Sequence, residues 1–309
     1  MILQRTIKKA TTISGIGLHS GTRVNLRMRP AIANTGIIFH RTDGEQIVSI
    51  KACTESIVDT RMATVIGHQG VTVSTIEHFM AALAAFGIDN LHIDIDGPEV
   101  PVFDGSAAYF IREIQRAEVK KLNRSRKFIA IQKPLEIIEG EKRIRIIPSR
   151  FFKISFDITF DHPTIAVQNY SMTFSTKSFC KEIAAARTFG FLHEVEQLKA
   201  MGLARGGSLE NAVVLDNDGV MNPEGLRYPD EFVRHKILDS IGDFSLLGAS
   251  LLGHVKAYKS GHDLNTKMVR MIEENPSCWT HVEFNERALQ EAQQAKISLV
   301  APDLVWDKA

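Results

Sequence analysis

The sequence predicts an α+β fold of two similar domains, each a β-sheet layer carrying helices, and three observations lead there. The chain has 309 residues, 44% of them hydrophobic and 24% charged, enough for two ordinary globular cores. Strand-like runs come in groups with helical periodicities after them, which is the order of an α+β protein rather than the strict alternation of a doubly wound parallel sheet. That order of strands, helix, strand and helix occurs twice, as a repeat of architecture and not of sequence.

In the first half, residues 2–7, 22–28 and 36–40 carry apolar and β-branched residues at strand-like spacing. Residues 74–87 form a short helix, since Ala81-Ala-Leu-Ala-Ala85 favours helix and Gly87 suits its C-terminal cap. Strict alternation over 91–96 gives a strand, and a helix is expected from about 107 to 118. The first domain is placed at 1–122 and the second at 128–305. Between them, Lys120, Lys121, Arg124, Arg126 and Lys127 form a basic cluster that reads as a solvated connector. In the second half, strands at 128–132, 142–148 and 153–160 precede a helix started by Pro229-Asp230, with Val233, Ile237, Ile241 and Phe244 at the 3.6-residue period until Gly248. A strand near 255–258 and a helix near 264–274 complete the order, and residues 187–214 read as an insert. A site fed from both halves would lie at the domain interface.

Three segments carry residues with chemistry. In Phe232-Val-Arg-His235-Lys-Ile-Leu-Asp239 the imidazole and the carboxylate are four residues apart, which stacks them on one helix face. Glu231, His235, Asp239 and Asp243 form a polar stripe on a helix that otherwise looks buried, a costly arrangement unless something pairs or coordinates them. Taken alone, the pair is also compatible with an ion pair on a solvated face. The second segment is Ser74-Thr-Ile-Glu77-His78, where Glu77 could instead close a capping box with Ser74, and His78 could be a satisfied core histidine. Together His78, His235 and Asp239 make a two-histidine, one-carboxylate set, the ligand chemistry of a catalytic zinc site with one open position. Glu77, next to a ligand, would be placed to take a proton from a metal-activated water. A third cluster, Lys259-Ser-Gly261-His262, ends a strand-like run where a helix begins. His262 there is either a helix-terminus or surface histidine or a proton donor to a leaving amine.

These blocks, with Gly87-Ile-Asp-Asn-Leu-His-Ile-Asp-Ile-Asp-Gly-Pro-Glu-Val-Pro-Val-Phe-Asp-Gly-Ser106, Ala186-Arg-Thr-Phe-Gly-Phe191, Gln4-Arg-Thr-Ile-Lys8 and Gly15-Ile-Gly-Leu-His-Ser-Gly21, resemble the zinc-dependent UDP-3-O-acyl-N-acetylglucosamine deacetylases of lipid A synthesis. The resemblance runs in order from about residue 2 to past residue 270. It implies helices packed between the two sheets, one zinc ion per chain on His78, His235 and Asp239, Glu77 as general base and His262 as general acid oriented by Asp243. It further implies Thr188 at the oxyanion, Lys236 near the substrate phosphate or the metal, Phe189 and Phe191 on the nucleotide and sugar, and Leu18 and His19 at the sugar and the start of an acyl channel. The 187–214 insert would be a βαβ unit shaping that channel, with Phe189, Phe191, Leu192, Leu198, Met201 and Leu203 available to line it and Ala204-Arg205 in the same segment. The substrate would be an acylated UDP-amino sugar.

Global features narrow the classes. A formal net charge of +1 leaves no broad footprint for nucleic acid. Three cysteines without paired spacing suit neither a disulfide framework nor a cysteine metal site, so a reducing cytoplasm is expected. The N-terminus meets charge too soon for a secretory signal, and no apolar run is long enough to span a bilayer. The expected protein is a cytoplasmic monomer in transient contact with the inner membrane face. The absence of an HExxH helix excludes the familiar metalloprotease arrangement. Two alternatives remain at this level: another zinc amidohydrolase of N-acetyl sugars, and a non-catalytic acyl-nucleotide carrier with structural zinc. A closed structural site needs a fourth protein ligand and no proton carriers, which counts against the carrier.

Overall fold

Two sheets with the same strand order frame the computed structural model, which describes residues 1–284. The first half runs β1 (Leu3–Ile7), β2 (Thr11–Ile16), β3 (Arg23–Pro30), β4 (Ile37–Arg41) and β5 (Val48–Lys51). A small three-stranded sheet of β6 (Ile57–Asp59), β7 (Val65–His68) and β8 (Val71–Val73) precedes α1 (Glu77–Ala85), β9 (Leu91–Ile95) and α2 (Ala108–Ala117). Strand β10 (Val119–Ser125) leads into β11 (Phe128–Ile131), β12 (Leu135–Glu139), β13 (Lys142–Ile147), β14 (Phe152–Thr159), β15 (Val167–Thr173) and α3 (Thr176–Glu182). Then come β16 (Phe189–Phe191), α4 (Leu192–Ala200), β17 (Val213–Leu215), α5 (Glu231–Phe244), β18 (Ser250–Tyr258), α6 (His262–Glu274) and β19 (Trp279–Val282).

The first sheet is ordered β2-β3-β9-β4-β5. In the second, β12, β13, β18, β14 and β15 take the same positions, with β11 and β19 added beside the start of β18. In each set of five, the last strand in sequence inserts at the centre, antiparallel to its neighbour on one side and parallel to that on the other. The helix before that central strand is α1 in one half and α5 in the other, and α2 and α6 follow it. The architectural repeat expected from the sequence is therefore present, and it sets His78 and His235 on corresponding helices. Alternation explains the sheets: Val24, Leu26 and Met28 of β3 and Ile154, Phe156 and Ile158 of β14 point inward and are buried.

The two helices meet in the middle. Phe79 of α1 packs edge-on against Phe39 of β4, with ring centroids 6.3 Å apart. Helix α5 lies on β14 and β15 and against α1, so the layers run sheet, helix, helix, sheet. One apolar cluster threads both halves, from Leu26 and Phe79 to Phe156, Phe232 and Met268. The α1–α5 crossing is tight at Gly242, where an added Cβ would fall inside van der Waals distance of the Glu77 carbonyl. The Cβ is fixed to its own helix and every atom it would meet is Glu77 backbone, so no side chain can swing aside. Gly242→Ala is therefore expected to destabilise the protein by about 1–3 kcal/mol, outweighing the roughly 1 kcal/mol of helix propensity that alanine gains. Urea unfolding checks this, and a stability equal to or above the parent would show that the helices can separate freely.

The structure departs from the sequence reading in places. Of the basic cluster expected to be a connector, Lys120, Lys121 and Arg124 lie in strand β10, paired antiparallel with β1, and only Arg126 and Lys127 link it to β11. Its outward side chains are charged, so no apolar alternation marks it. Strands β2, β5 to β8, β12, β15 and β19 and helix α3 were not anticipated. Several of them are short, exposed on one or both faces, or both. The insert is a βαβ unit, with β16 and β17 parallel and α4 between them. Residues 285–305 of the expected second domain lie outside the described residues.

Candidate metal centre

Helix α1 begins at Glu77, one residue beyond Ile76 at its N-cap and two beyond Thr75, whose backbone is left-handed at φ 56°, so Glu77 and His78 project from its first turn. The Ser74–Glu77 capping box does not form. Glu77 Oε2 accepts the Thr64 N–H at 3.0 Å instead, while the Ser74 hydroxyl reaches the Pro98 carbonyl. Across the crossing, α5 presents His235 and Asp239 one turn apart. All four residues of the expected stripe, Glu231, His235, Asp239 and Asp243, are at most 3% exposed, which rules out a solvated face.

The Nε2 atoms of His78 and His235 lie 3.5 and 3.3 Å from Asp239 Oδ1, and one ligand atom from each residue fits within 4.8 Å of the others. The two imidazoles are nearly perpendicular, with centroids 4.9 Å apart. His235 Nδ1–H donates to the Ala186 carbonyl at 3.1 Å, which leaves the lone pair on Nε2 and aims it at the cluster, as metal-ligating histidines require. Asp239 Oδ1 is buried with no hydrogen-bond partner among the described residues. Its Oδ2 accepts from Lys236 Nζ at 3.1 Å. Burial lowers the His235 pKa to about 4 against the opposing pull of Asp239. Burial would raise Asp239, but His235, Lys236 and His78 hold it well below the usual carboxylate range. A neutral imidazole beside an ionised carboxylate with an orphaned oxygen is a donor set that fits a divalent cation.

Glu77 and His262 flank this set. His262 opens α6; its Nδ1 donates to Asp243 at 3.0 Å, and its Nε2 sits 3.7 Å from Glu77 Oε1 and 4.0 Å from Asp239 Oδ2. Burial alone would lower the His262 pKa, but Asp243 and then Glu77 raise it to about 9. Burial raises Glu77, partly offset by His262 and His78. Asp243 is held in turn by the Thr64 hydroxyl at 2.6 Å and by Asn265 Nδ2 at 2.8 Å. Thr64 and Asn265 were not among the sequence-expected residues. Asn265 could have been found three residues beyond His262 on the same helix face, whereas Thr64 carries no local signal.

Glu77, His78, His235, Asp239 and His262 line a cleft of about 330 Å³ together with Leu18, His19, Thr188, Phe189 and Lys236, while Asp243, Thr64 and Asn265 lie behind its wall. Phe191 is not on this wall; it packs among Phe160, His162 and His193. Of the six apolar residues expected to line a channel, only Phe189 reaches the cleft. Helix α4 buries none of its side chains, and Leu192 and Met201 are exposed. The insert is anchored by a pair the sequence reading missed. Arg187 and Glu231, 1% and 0% exposed, meet at 2.9 Å, and Glu231 also accepts the Arg227 N–H.

Residues 4–274 match the model of the LpxC family, UDP-3-O-acyl N-acetylglycosamine deacetylase. The chain is 61% identical over 288 residues to the UDP-3-O-acyl-N-acetylglucosamine deacetylase of Syntrophotalea carbinolica, covering 93% of each protein. It is 54% identical to the protein of that name from a Geobacter species over the whole of both chains, and 52% identical to that of Myxococcus xanthus over 93% of this chain and 91% of the relative.

Proposed function

We propose, from the premise that this chain belongs to the UDP-3-O-acyl N-acetylglycosamine deacetylase family, that His78, His235 and Asp239 hold one zinc ion while Glu77 and His262 move the protons of the reaction. The protein is a deacetylase of lipid A biosynthesis, hydrolysing the N-acetyl group of UDP-3-O-acyl-N-acetylglucosamine to acetate and the free amine. The observation that carries the zinc reading is the buried cluster with an unpartnered Asp239 oxygen, flanked on its open side by a carboxylate and an imidazole.

A bound zinc ion supplies Lewis-acid polarisation of the acetyl carbonyl and lowers the pKa of a water toward neutrality. Glu77, desolvated and beside the cluster, takes the proton of the attacking water. Thr188, on the cleft wall, donates to the oxygen on which charge develops. His262, kept charged by Asp243, gives its proton to the sugar nitrogen as the C–N bond breaks, since an amine leaves poorly until protonated. Asp243 orients His262 through a carboxylate that Thr64 and Asn265 fix in place. Lys236 pairs with Asp239 and borders the cleft, where it also meets substrate. Leu18 and His19 border the sugar, Phe189 contacts nucleotide and sugar, and the insert, in which Phe191 packs away from the cleft wall, guides the acyl chain.

In this reading the halves 1–122 and 128–305 are the two domains, and the active site lies between them. No helix among the described residues is long and apolar enough to cross a membrane. None of the three cysteines is in a disulfide, as a reducing compartment would allow, and the protein is read as a cytoplasmic monomer that meets the inner membrane face transiently. Acetate release by the purified protein from UDP-3-O-acyl-N-acetylglucosamine, with metal analysis of the same sample, tests the whole proposal. Acetate release without bound metal would overturn the zinc assignment.

The proton carriers carry their own prediction. Glu77→Ala and His262→Ala should each lower kcat by about 10²-fold or more with the metal retained, the usual scale of general acid-base contributions. The rate should be bell-shaped in pH. It falls on the alkaline side as His262 loses the proton it must donate, at or below about 9 because a dication nearby lowers that value further, and on the acid side as Glu77 is protonated. Near-parental kcat in either variant would remove that residue from its role.

A further inference from the structure

Glu99 is 1% exposed and has no cationic partner among the described residues, yet it is fully bonded. Its Oε1 accepts the His19 N–H at 2.9 Å and the Thr75 hydroxyl at 2.9 Å, and its Oε2 accepts the Ser20 N–H at 2.7 Å. It belongs to an extended segment that bridges two others: Val100 N–H donates to the Ser74 carbonyl, and Val102 N–H donates to the Ile16 carbonyl. One carboxylate therefore ties the loop carrying His19 to Thr75, the strained residue just ahead of α1. On the far side of that loop, the N–H groups of Arg205 and Gly206 donate to the His19 and Leu18 carbonyls. The loop is clamped between Glu99 and the insert. Gly17 is shaped to this carboxylate, because a Cβ there would collide with Glu99 and with the Ser20 hydroxyl.

The clamp holds backbone, and what it delivers is a side chain. His19 lines the catalytic cleft, and its Nδ1 is buried with no hydrogen-bond partner among the described residues. An unpaired polar atom of that kind is costly unless a ligand completes it.

We propose that Glu99 is a positioning residue for the deacetylation: it fixes the His19 loop so that the imidazole faces the cleft with Nδ1 left for a polar group of the bound sugar. This rests on the functional reading above for its substrate, but not for its geometry. A displacement of about 1 Å at a substrate-holding group can cost on the order of 10²-fold in rate, so removal of one bond and the charge has a measurable consequence.

The decisive experiment is a double-mutant cycle of Glu99→Gln and His19→Ala, with kcat and KM for UDP-3-O-acyl-N-acetylglucosamine, metal content and thermal midpoint measured for each protein. Glu99→Gln is expected to lower kcat/KM about tenfold or more with metal bound, and to change it less than about twofold once His19 is alanine. Equal losses in both backgrounds would overturn the proposal, because the effect would then not pass through His19. The imidazole resonances of His19 in the metal-free protein give a readout free of chemistry. They should shift in Glu99→Gln, and unchanged resonances would also overturn it. Should Glu99→Gln fail to fold, Gly17→Ala displaces the same carboxylate and faces the same two criteria. A parent protein that released no acetate would sink the functional reading alone, while the resonances would still decide the positioning claim.

Discussion

Replacing either histidine of the buried cluster, His78→Ala or His235→Ala, should take zinc content from one per chain to near zero and abolish acetate release. Each substitution removes one of the three proposed protein ligands, whereas loss of a mere outer partner costs typically 10–100-fold in affinity. The geometry sharpens the expectation for His235: its Nδ1–H is already committed to the Ala186 carbonyl, so only Nε2 can serve. Chelation should give the same loss in the parent protein, reversed by added zinc. A hydroxamate with an apolar tail should inhibit, since it offers two oxygens to a metal. Full zinc occupancy in either alanine variant, measured by elemental analysis, would show the ligand assignment to be wrong.

Stripping the 3-O-acyl chain from the substrate should lower kcat/KM by several orders of magnitude, at roughly 0.8 kcal/mol for each methylene the protein buries. Phe189 is on the cleft wall, and the βαβ unit that begins with it carries apolar side chains with little protein to cover them: Leu192 and Met201 are exposed, and α4 has no buried residue. Part of the loss should fall on kcat if the remote chain helps to seat the acetamide. A series of UDP-N-acetylglucosamine substrates with lengthening acyl chains, assayed for acetate, measures both effects. Equal kcat/KM with and without the chain would remove acyl recognition from the insert while leaving the metal centre untouched.

How far the sequence could be read depended on whether a residue acts through its own helix or through distant chain. His235, Asp239 and Asp243 announced themselves by four-residue spacing on one helix. The doubled order of strands and helices was legible too, because buried central strands such as β9 and β14 alternate strictly. Glu77 was ambiguous, as a capping box and a catalytic base look alike in Ser74-Thr-Ile-Glu77; only the Thr64 N–H, 13 residues upstream, decides against the box. Thr64 itself, 179 residues from the Asp243 it bonds, had no local pattern to betray it. Glu99 lay in plain view in the Gly-Pro-Glu-Val-Pro segment, but a carboxylate that binds only N–H and O–H groups from elsewhere looks like any surface acid. Strand β10 was hidden for the opposite reason, since its charged side chains mimic a linker while its backbone pairs with β1. The insert's exposed α4 was legible as apolar but not as uncovered, because exposure depends on what fails to pack against it.

The meeting of α1 and α5 within a single apolar cluster has a thermodynamic consequence. Neither sheet can shed its helix without opening the core of the other, so the two halves share one stability rather than owning two. A ligand held jointly by those helices is then linked to the unfolding of the whole chain. At a free concentration 100 times its dissociation constant it adds about 2.7 kcal/mol to that shared stability. If the proposed metal is that ligand, then it serves as a rivet as well as a reagent, and the supply of the ion would govern how long the folded protein survives as well as how fast it works.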